Sequence, residues 1–222
     1  MAPIIEVSDE ILNRLNQLKI PYKLKNQTKD NDNYVFVPSL KLYVAKERTL
    51  QGQNWFDSHK KLQGDNKKMP TVPQFVEFLK YLKSNSADYQ ALFDDITQVR
   101  SPWRAEWLDA DFKVNDKKLY VNSNHVYENG NLVPKTSEPL DKNTLMTNRT
   151  PGISLDSWLK NPTPQGLPSK KVEDGKLYYW HPRDDNNSVA RFGADVGRAG
   201  FVCYRDPSYW DSGLGVRAVR HE

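Results

Sequence analysis

Hydrophobic positions recur at helical spacing in two clear stretches of the chain and alternate with polar ones in much of the rest. Ile11, Leu12, Leu15 and Leu18 share one face of a helix predicted over residues 9–19, with Ser8 placed to cap it and Pro21 beyond its end. Phe75, Phe78, Leu79 and Leu82 form a second stripe behind the turn Met69-Pro70-Thr71-Val72-Pro73. Thr71 is the predicted cap, which leaves Pro73 in the first turn, where its missing N–H sacrifices no helical bond. Shorter helices are predicted over 54–62, capped by Asn54, and over 87–96.

The β-type pattern begins with YVFVPSLKLYVA at 34–45, after the polar connection KNQTKDNDN at 25–33. Pro38 there marks an edge, a bulge or a break between two strands. Trp103 to Phe112 reads as a strand-like or irregular aromatic segment. LYVNSNHVYENGNLVP, 119–134, reads as a hairpin, because Asn129-Gly130 tolerates the positive φ of a tight turn. Residues 134–175 are rich in Pro, Ser, Thr, Asn and Lys and predict long surface loops with one short helix around 155–159. LYYW (177–180) predicts a strand, DDNN (184–187) a turn, and VARFGA, AGFVCY and LGVRAV three short strands. The elements interleave too closely for an internal boundary. The expected organisation is an N-terminal helix and polar connection over 1–33, followed by one α+β domain over 34–222.

Composition narrows the function. At 222 residues, 37% hydrophobic and 11% aromatic, the chain can build a core. No apolar run approaches the length that spans a bilayer, and MAPIIEVSDE lacks the basic start and apolar stretch of a signal peptide. The expected location is therefore open between a virus particle, a cell surface and cytoplasm, without membrane insertion. The single cysteine, Cys203, excludes an internal disulfide framework and a cysteine-cluster metal site. A formal charge of +4 does not by itself argue for nucleic acid. One shift stands out near the end. Lysine is absent from Leu177 to Glu222 while arginine occurs there six times, and Glu, Gln and Met are absent between Gly193 and Gly213.

The order of the pieces carries a resemblance. Asn54 to Phe56 opening a helix, Met69 to Thr71 turning into a helix that ends at Leu82, Glu106 to Ala110 (EWLDA), long loops and Gly215 to Val219 (GVRAV) together resemble the C-type lectin fold. The version they resemble is the one shared by formylglycine-generating enzymes and the variable proteins of diversity-generating retroelements. The likeness covers residues 34–222 and implies two helices with a small, mostly antiparallel sheet. The end of the chain, about 188–222, is similar to the variable region of a retroelement target protein. It reads as a fixed frame, VARF-x-AD-x-x-x-A-x-F-x-C-x-x-x-PS-x-x-x-S-x-LGVRAV. In such proteins a reverse transcriptase miscopies template adenines and randomises chosen codons. An AAC or AAT codon randomised at its first two bases cannot yield Lys, Glu, Gln, Met or Trp. The composition gap fits that restriction; Trp210 does not, and either arose from another codon or belongs to the frame.

The resemblance implies a ligand-binding surface at Gly193, Val196, Gly197, Arg198, Gly200, Val202, Tyr204, Arg205, Asp206, Tyr209, Trp210, Asp211 and Gly213. It implies no catalytic residue and no cofactor. The partner expected is a macromolecule, a protein such as a cell-surface receptor. The residue chemistry supports this separately. A period of two along AGFVCY puts Ala199, Phe201 and Cys203 on a core face and Gly200, Val202 and Tyr204 on the opposite one. Tyr, Trp and Arg offer large rigid contact area with a polar handle, and interleaved Ser, Gly and Asp give adaptable hydrogen bonding. The alternative is a degenerate formylglycine-generating-enzyme-like or sugar-binding lectin domain acting on a small ligand.

Other candidates are set against plainer roles. Formylglycine-generating enzymes use a pair of cysteines, and Cys203 lies on an apolar alternation, so a core role is expected. His59, His125, His181 and His221 show no metal-ligand spacing and predict packing or surface roles, with no metal. Asp184 to Asn187 and Glu128 to Asn131 offer oxygen ligands of the calcium type, which turns use equally. Tyr178 to Trp180 predicts a buried strand with one exposed face, and the resemblance implies core positions beneath the loops for Trp103 and Trp107. Arg198, Arg205, Arg217 and Arg220 are interrupted by Asp195, Asp206 and Asp211, so no nucleic acid is expected.

Overall fold

A computed structural model describes residues 33–221 together with Ile11, Arg14, Leu15, Gln17 and Leu18. The helix expected over 9–19 falls largely outside the described residues. Tyr34–Val37 (β1) and Leu42–Ala45 (β2) pair antiparallel, and the break at Pro38 is the turn between them. Asn54 caps Trp55–Gly64 (α1) by accepting the Asp57 N–H at 2.8 Å. Thr71 caps Val72–Ser84 (α2) in a reciprocal box with Gln74, the Thr71 N–H donating back to the Gln74 side chain at 2.9 Å. Ser86–Thr97 (α3) packs against α2.

The main sheet is built around Arg104–Asn115 (β3), whose side chains are buried along most of its length. Lys118–Ser123 (β4) and Thr136–Pro139 (β7) extend it on one side. On the other side lie Ser188–Ala194 (β10), Ala199–Arg205 (β11), Leu177–Trp180 (β9) and Arg149–Ile153 (β8) in that order. Val126–Glu128 (β5) and Asn131–Val133 (β6) form the expected hairpin, with Asn129 and Gly130 at φ 52° and 82°.

The α+β class stands, but three expectations need correction. The sheets are larger than a small sheet: among the described residues the main one has eight strands, and the four helices that the residue pattern predicts between 54 and 159 are present, against the two that the resemblance implies. Residues 134–175 are not only surface loops. The short helix expected around 155–159 is present as Leu155–Lys160 (α4), but the segment also supplies β7 and β8, and its Ile153, Trp158, Leu159, Leu167 and Val172 enter the core. Ile153, Leu167 and Val172 stand singly among turn formers, where no period marks them. Finally, LGVRAV is two strands. Leu214–Gly215 (β12) runs parallel to β3, and Val219–His221 (β13) pairs antiparallel with β2, closing the sheet β1-β2-β13.

The larger hydrophobic cluster lies between the main sheet and α2 to α4. Trp158 stacks on Phe201 at 4.9 Å between ring centres, and Phe192 packs against Phe75 at 5.4 Å. A second cluster joins α1 to the C-terminal frame through Trp55, Leu62, Trp107, Leu214 and Val216. Beside it sits a fully buried ion pair, Arg217 Nε donating to Glu106 Oε2 at 3.0 Å. No helix among the described residues is long and apolar enough to cross a membrane.

Candidate ligand-binding groove

β10 and β11 are one antiparallel hairpin with Phe192 opposite Phe201, Gly193 opposite Gly200 and Ala194 opposite Ala199. The period of two sorts β11 as its sequence predicts. Ala199, Phe201 and Cys203 belong to the core, and burial pushes the Cys203 thiol well above its ordinary pKa, so it is an inert packing group. Gly200, Val202 and Tyr204 point the other way and line a groove of about 230 Å³. The hairpin turn is held by Asp195, whose Oδ1 accepts the N–H groups of Gly197 at 2.8 Å and Arg198 at 3.0 Å. Val196 is thereby left 75% exposed at the tip.

Six of the thirteen expected contact residues line this groove: Gly193, Arg198, Gly200, Val202, Tyr204 and Arg205. Val196, Gly197, Asp206 and Trp210 are exposed, and Tyr209, Asp211 and Gly213 are partly so. The groove is also lined by Trp103, Trp180 and Arg191. Trp107 is buried as expected, whereas Trp103 is only half-buried and forms a groove wall, a correction to its core assignment. Tyr179 is core while Tyr178 and Trp180 show the exposed face of β9.

Two further corrections concern how freely these positions can change. Gly200 and Val202 are buried at the groove floor and are not exposed sites; Val202 is 8% exposed and Gly200 lies under the Trp180 ring. Gly193 and Gly213 are as tight as Gly200, and partly against backbone. A Cβ at Gly193 would stand 2.7 Å from the Ala105 Cβ and 2.8 Å from the Arg104 carbonyl oxygen, and one at Gly213 would stand 2.7 Å from the Trp103 carbonyl oxygen. Paired strands cannot open there without moving β3. Gly193→Ser is therefore expected to cost about 1–3 kcal/mol in a urea melt, the usual penalty for overpacking. A neutral result would mean that the hairpin shifts away from β3.

The segment 206–213 is fastened at both ends. The Pro207 carbonyl accepts the Trp55 N–H at 3.0 Å, at the start of α1, and the Asp211 carbonyl accepts the Leu214 N–H at 2.9 Å. Asp206 Oδ1 accepts the Ser208 N–H and Asp211 Oδ1 the Gly213 N–H, both at 2.8 Å, so these carboxylates shape the loop. Trp210 remains 68% exposed.

Arginine and aromatic side chains alternate across this face. The Arg205 guanidinium lies 3.4 Å from the Tyr209 ring centre, Arg183 3.6 Å from Tyr204, and Arg198 5.4 Å from Trp180. Burial, helped by the nearby Arg205 charge, lowers Arg191 to about 10. The Nε groups of Arg191 and Arg205, both groove-lining residues, are buried with no hydrogen-bond partner. The four arginines weighed for nucleic acid do not form one patch. Arg217 is buried on Glu106, and Arg220 lies over Tyr34 and Tyr43.

The acidic turns are occupied by their own structure. Asp185 Oδ1 accepts from the Asn187 N–H and the Ser188 hydroxyl, and Asn186 Oδ1 accepts the Val114 N–H. Glu128 pairs with Lys135. Two of the histidines treated as scattered do meet. His125 Nδ1 lies 2.5 Å from Asp109 Oδ1, and His59 Nε2 lies 3.6 Å from the same oxygen, all three side chains being buried. Burial would lower His125, but hydrogen bonding and the charges of Asp109 and Asp111 outweigh it and raise it to about 9. Burial dominates at His59 and lowers it to about 4. Nothing in the local sequence signals this cluster, because α1, β3 and the β4–β5 connection bring its members together from distant positions. Compared with known proteins, the chain matches no family model, no curated protein and no solved structure.

Proposed function

We propose that this chain is a ligand-binding display protein with a C-type lectin-like fold, diversified near its C-terminus by retroelement-driven mutagenesis. Its ligand is a macromolecule, a protein such as a cell-surface receptor. The observation that carries this reading is the division along β11 and the loop after it. Alternate residues fill the core, while Tyr204, Arg205, Tyr209 and Trp210 remain partly or fully exposed on a frame anchored at Pro207 and Leu214. A residue that changes from copy to copy cannot also fill a close-packed interior. Val196 to Arg198, Tyr204 to Asp206 and Tyr209 to Asp211 meet that condition, and Gly193, Gly200, Val202 and Gly213 meet it poorly.

The side chains suit protein recognition, since rigid aromatics and arginines dominate binding surfaces. Arg191, Arg198 and Arg205 outnumber the groove's one acidic lining residue, Asp195, which favours an acidic contact surface on the partner. The DNA beside the gene tests the proposal directly. It should contain a near-repeat of the last hundred or so bases, with adenines at the variable codons, and a reverse transcriptase gene. A locus with neither would reject diversification.

A further inference from the structure

We infer that His59, Asp109 and His125 form a binding site for one zinc-class divalent metal ion, away from the groove. Each residue can direct one ligand atom at a common point, and the three atoms lie within 4.8 Å of one another. All three residues are buried, at 5%, 3% and 6% exposure. Two imidazole nitrogens and one carboxylate oxygen are a donor set that suits zinc and its neighbours and disfavours calcium, which takes oxygen ligands.

The packing around the cluster shows a site short of one partner. His59 Nε2 is buried, points at Asp109 and makes no hydrogen bond, being 3.6 Å from the nearer carboxylate oxygen. Two ligands bound tetrahedrally to one zinc at about 2 Å stand about 3.3 Å apart, so this gap is ion-bridging and too long for a hydrogen bond. Across the cluster, His125 Nδ1 and Asp109 Oδ1 stand 2.5 Å apart, a hydrogen bond whose proton an ion bound to both atoms would replace. Metal binding therefore displaces that proton and lets the pair open by less than about 1 Å.

The surroundings hold the ligands in place. The His125 backbone N–H donates to Asp109 Oδ2 at 3.1 Å, and Asp111 Oδ1 lies 3.7 Å from His125 Nε2 with no hydrogen-bond partner of its own, placed to orient the ring. The Trp55 indole packs edge-on to both imidazoles, at 4.4 Å and 5.0 Å. A cavity of about 530 Å³, lined by His59 and His125 among others, lies beside the cluster. Bound there, the ion ties α1 to β3, and α1 is the element whose Trp55 N–H holds the Pro207 carbonyl of the contact loop.

Titration of chelator-stripped full-length protein with cobalt and then zinc tests this. The expected result is one equivalent of cobalt giving the intense visible absorption of a tetrahedral nitrogen–oxygen site, displaced by one equivalent of zinc, with a rise in Tm. His59→Gln, which keeps the bulk of the side chain, should lose both the band and the Tm rise while keeping the native circular dichroism. His125→Gln serves as the second variant. Absence of binding to the wild-type chain overturns the inference without help from any variant. Undiminished binding in both folded variants overturns it as well, since the ion would then lie elsewhere.

Discussion

Arg217→Met lowers stability by about 3–5 kcal/mol, the cost of leaving the other half of a buried ion pair without its partner. The partner is Glu106, fully buried on β3, whose Oε2 accepts from Arg217 Nε at 3.0 Å. The same guanidinium donates through Nη1 to the carbonyls of Ala45 and Lys46, so the variant also orphans backbone acceptors beside β2. Water cannot replace these contacts, because Arg217 is 1% exposed and Arg104, a second buried cation, fills the other side of Glu106 at 3.9 Å. Burial lowers Arg104 to about 10 even beside that carboxylate, a measure of how dry the site is. Urea melts of Arg217→Met, Glu106→Gln and the double variant check this: the double should cost clearly less than the sum. A loss under about 1 kcal/mol for Arg217→Met would place the pair at the solvated surface range.

Phe201→Ala costs about 3–5 kcal/mol, as truncation of a buried aromatic does, while Tyr204→Ser three residues further on costs about 1 kcal/mol or less. Phe201 is fully buried and stacks between Trp158, at 4.9 Å and 18°, and Tyr179, at 6.1 Å and 23°. The cavity left by its ring cannot collapse without moving α4 or β9. Tyr204 is partly exposed and leans on Arg183 at the groove. Denaturant melts of the two variants should separate by several-fold. Equal losses would mean that β11 does not divide into a structural and a contact face.

That division was legible in the sequence because it rests on the two-residue period of a strand, which AGFVCY displays in full. Helices α1 and α2 were legible for a similar reason: Asn54 and Thr71 are caps whose chemistry acts within three residues. The limits are also physical. Ile153, Leu167 and Val172 sit among turn formers, so only tertiary packing reveals that they are core. Gly200 and Val202 fall on the groove side of the strand, as their alternation says. How deeply they lie depends on Trp180 from a strand distant in sequence, which no local pattern encodes. Trp103 was assigned to the core by resemblance to a tryptophan that packs beneath the loops, and the groove that makes it a wall exists only once β10 and β11 dock beside it. The His59–Asp109–His125 cluster is the extreme case, assembled from three elements with no motif in any of them.

Sequencing the native gene from many independently propagated lineages tests the central claim most directly. The account predicts substitutions concentrated at codons 196–198, 204–206, 209 and 211, whose side chains lie on the groove or the exposed loop. Codons for Ala199, Phe201, Cys203, Leu214 and Val216, which interleave with them and are buried, should remain unchanged. Substitutions spread equally over both sets, or no excess at the first, would contradict it.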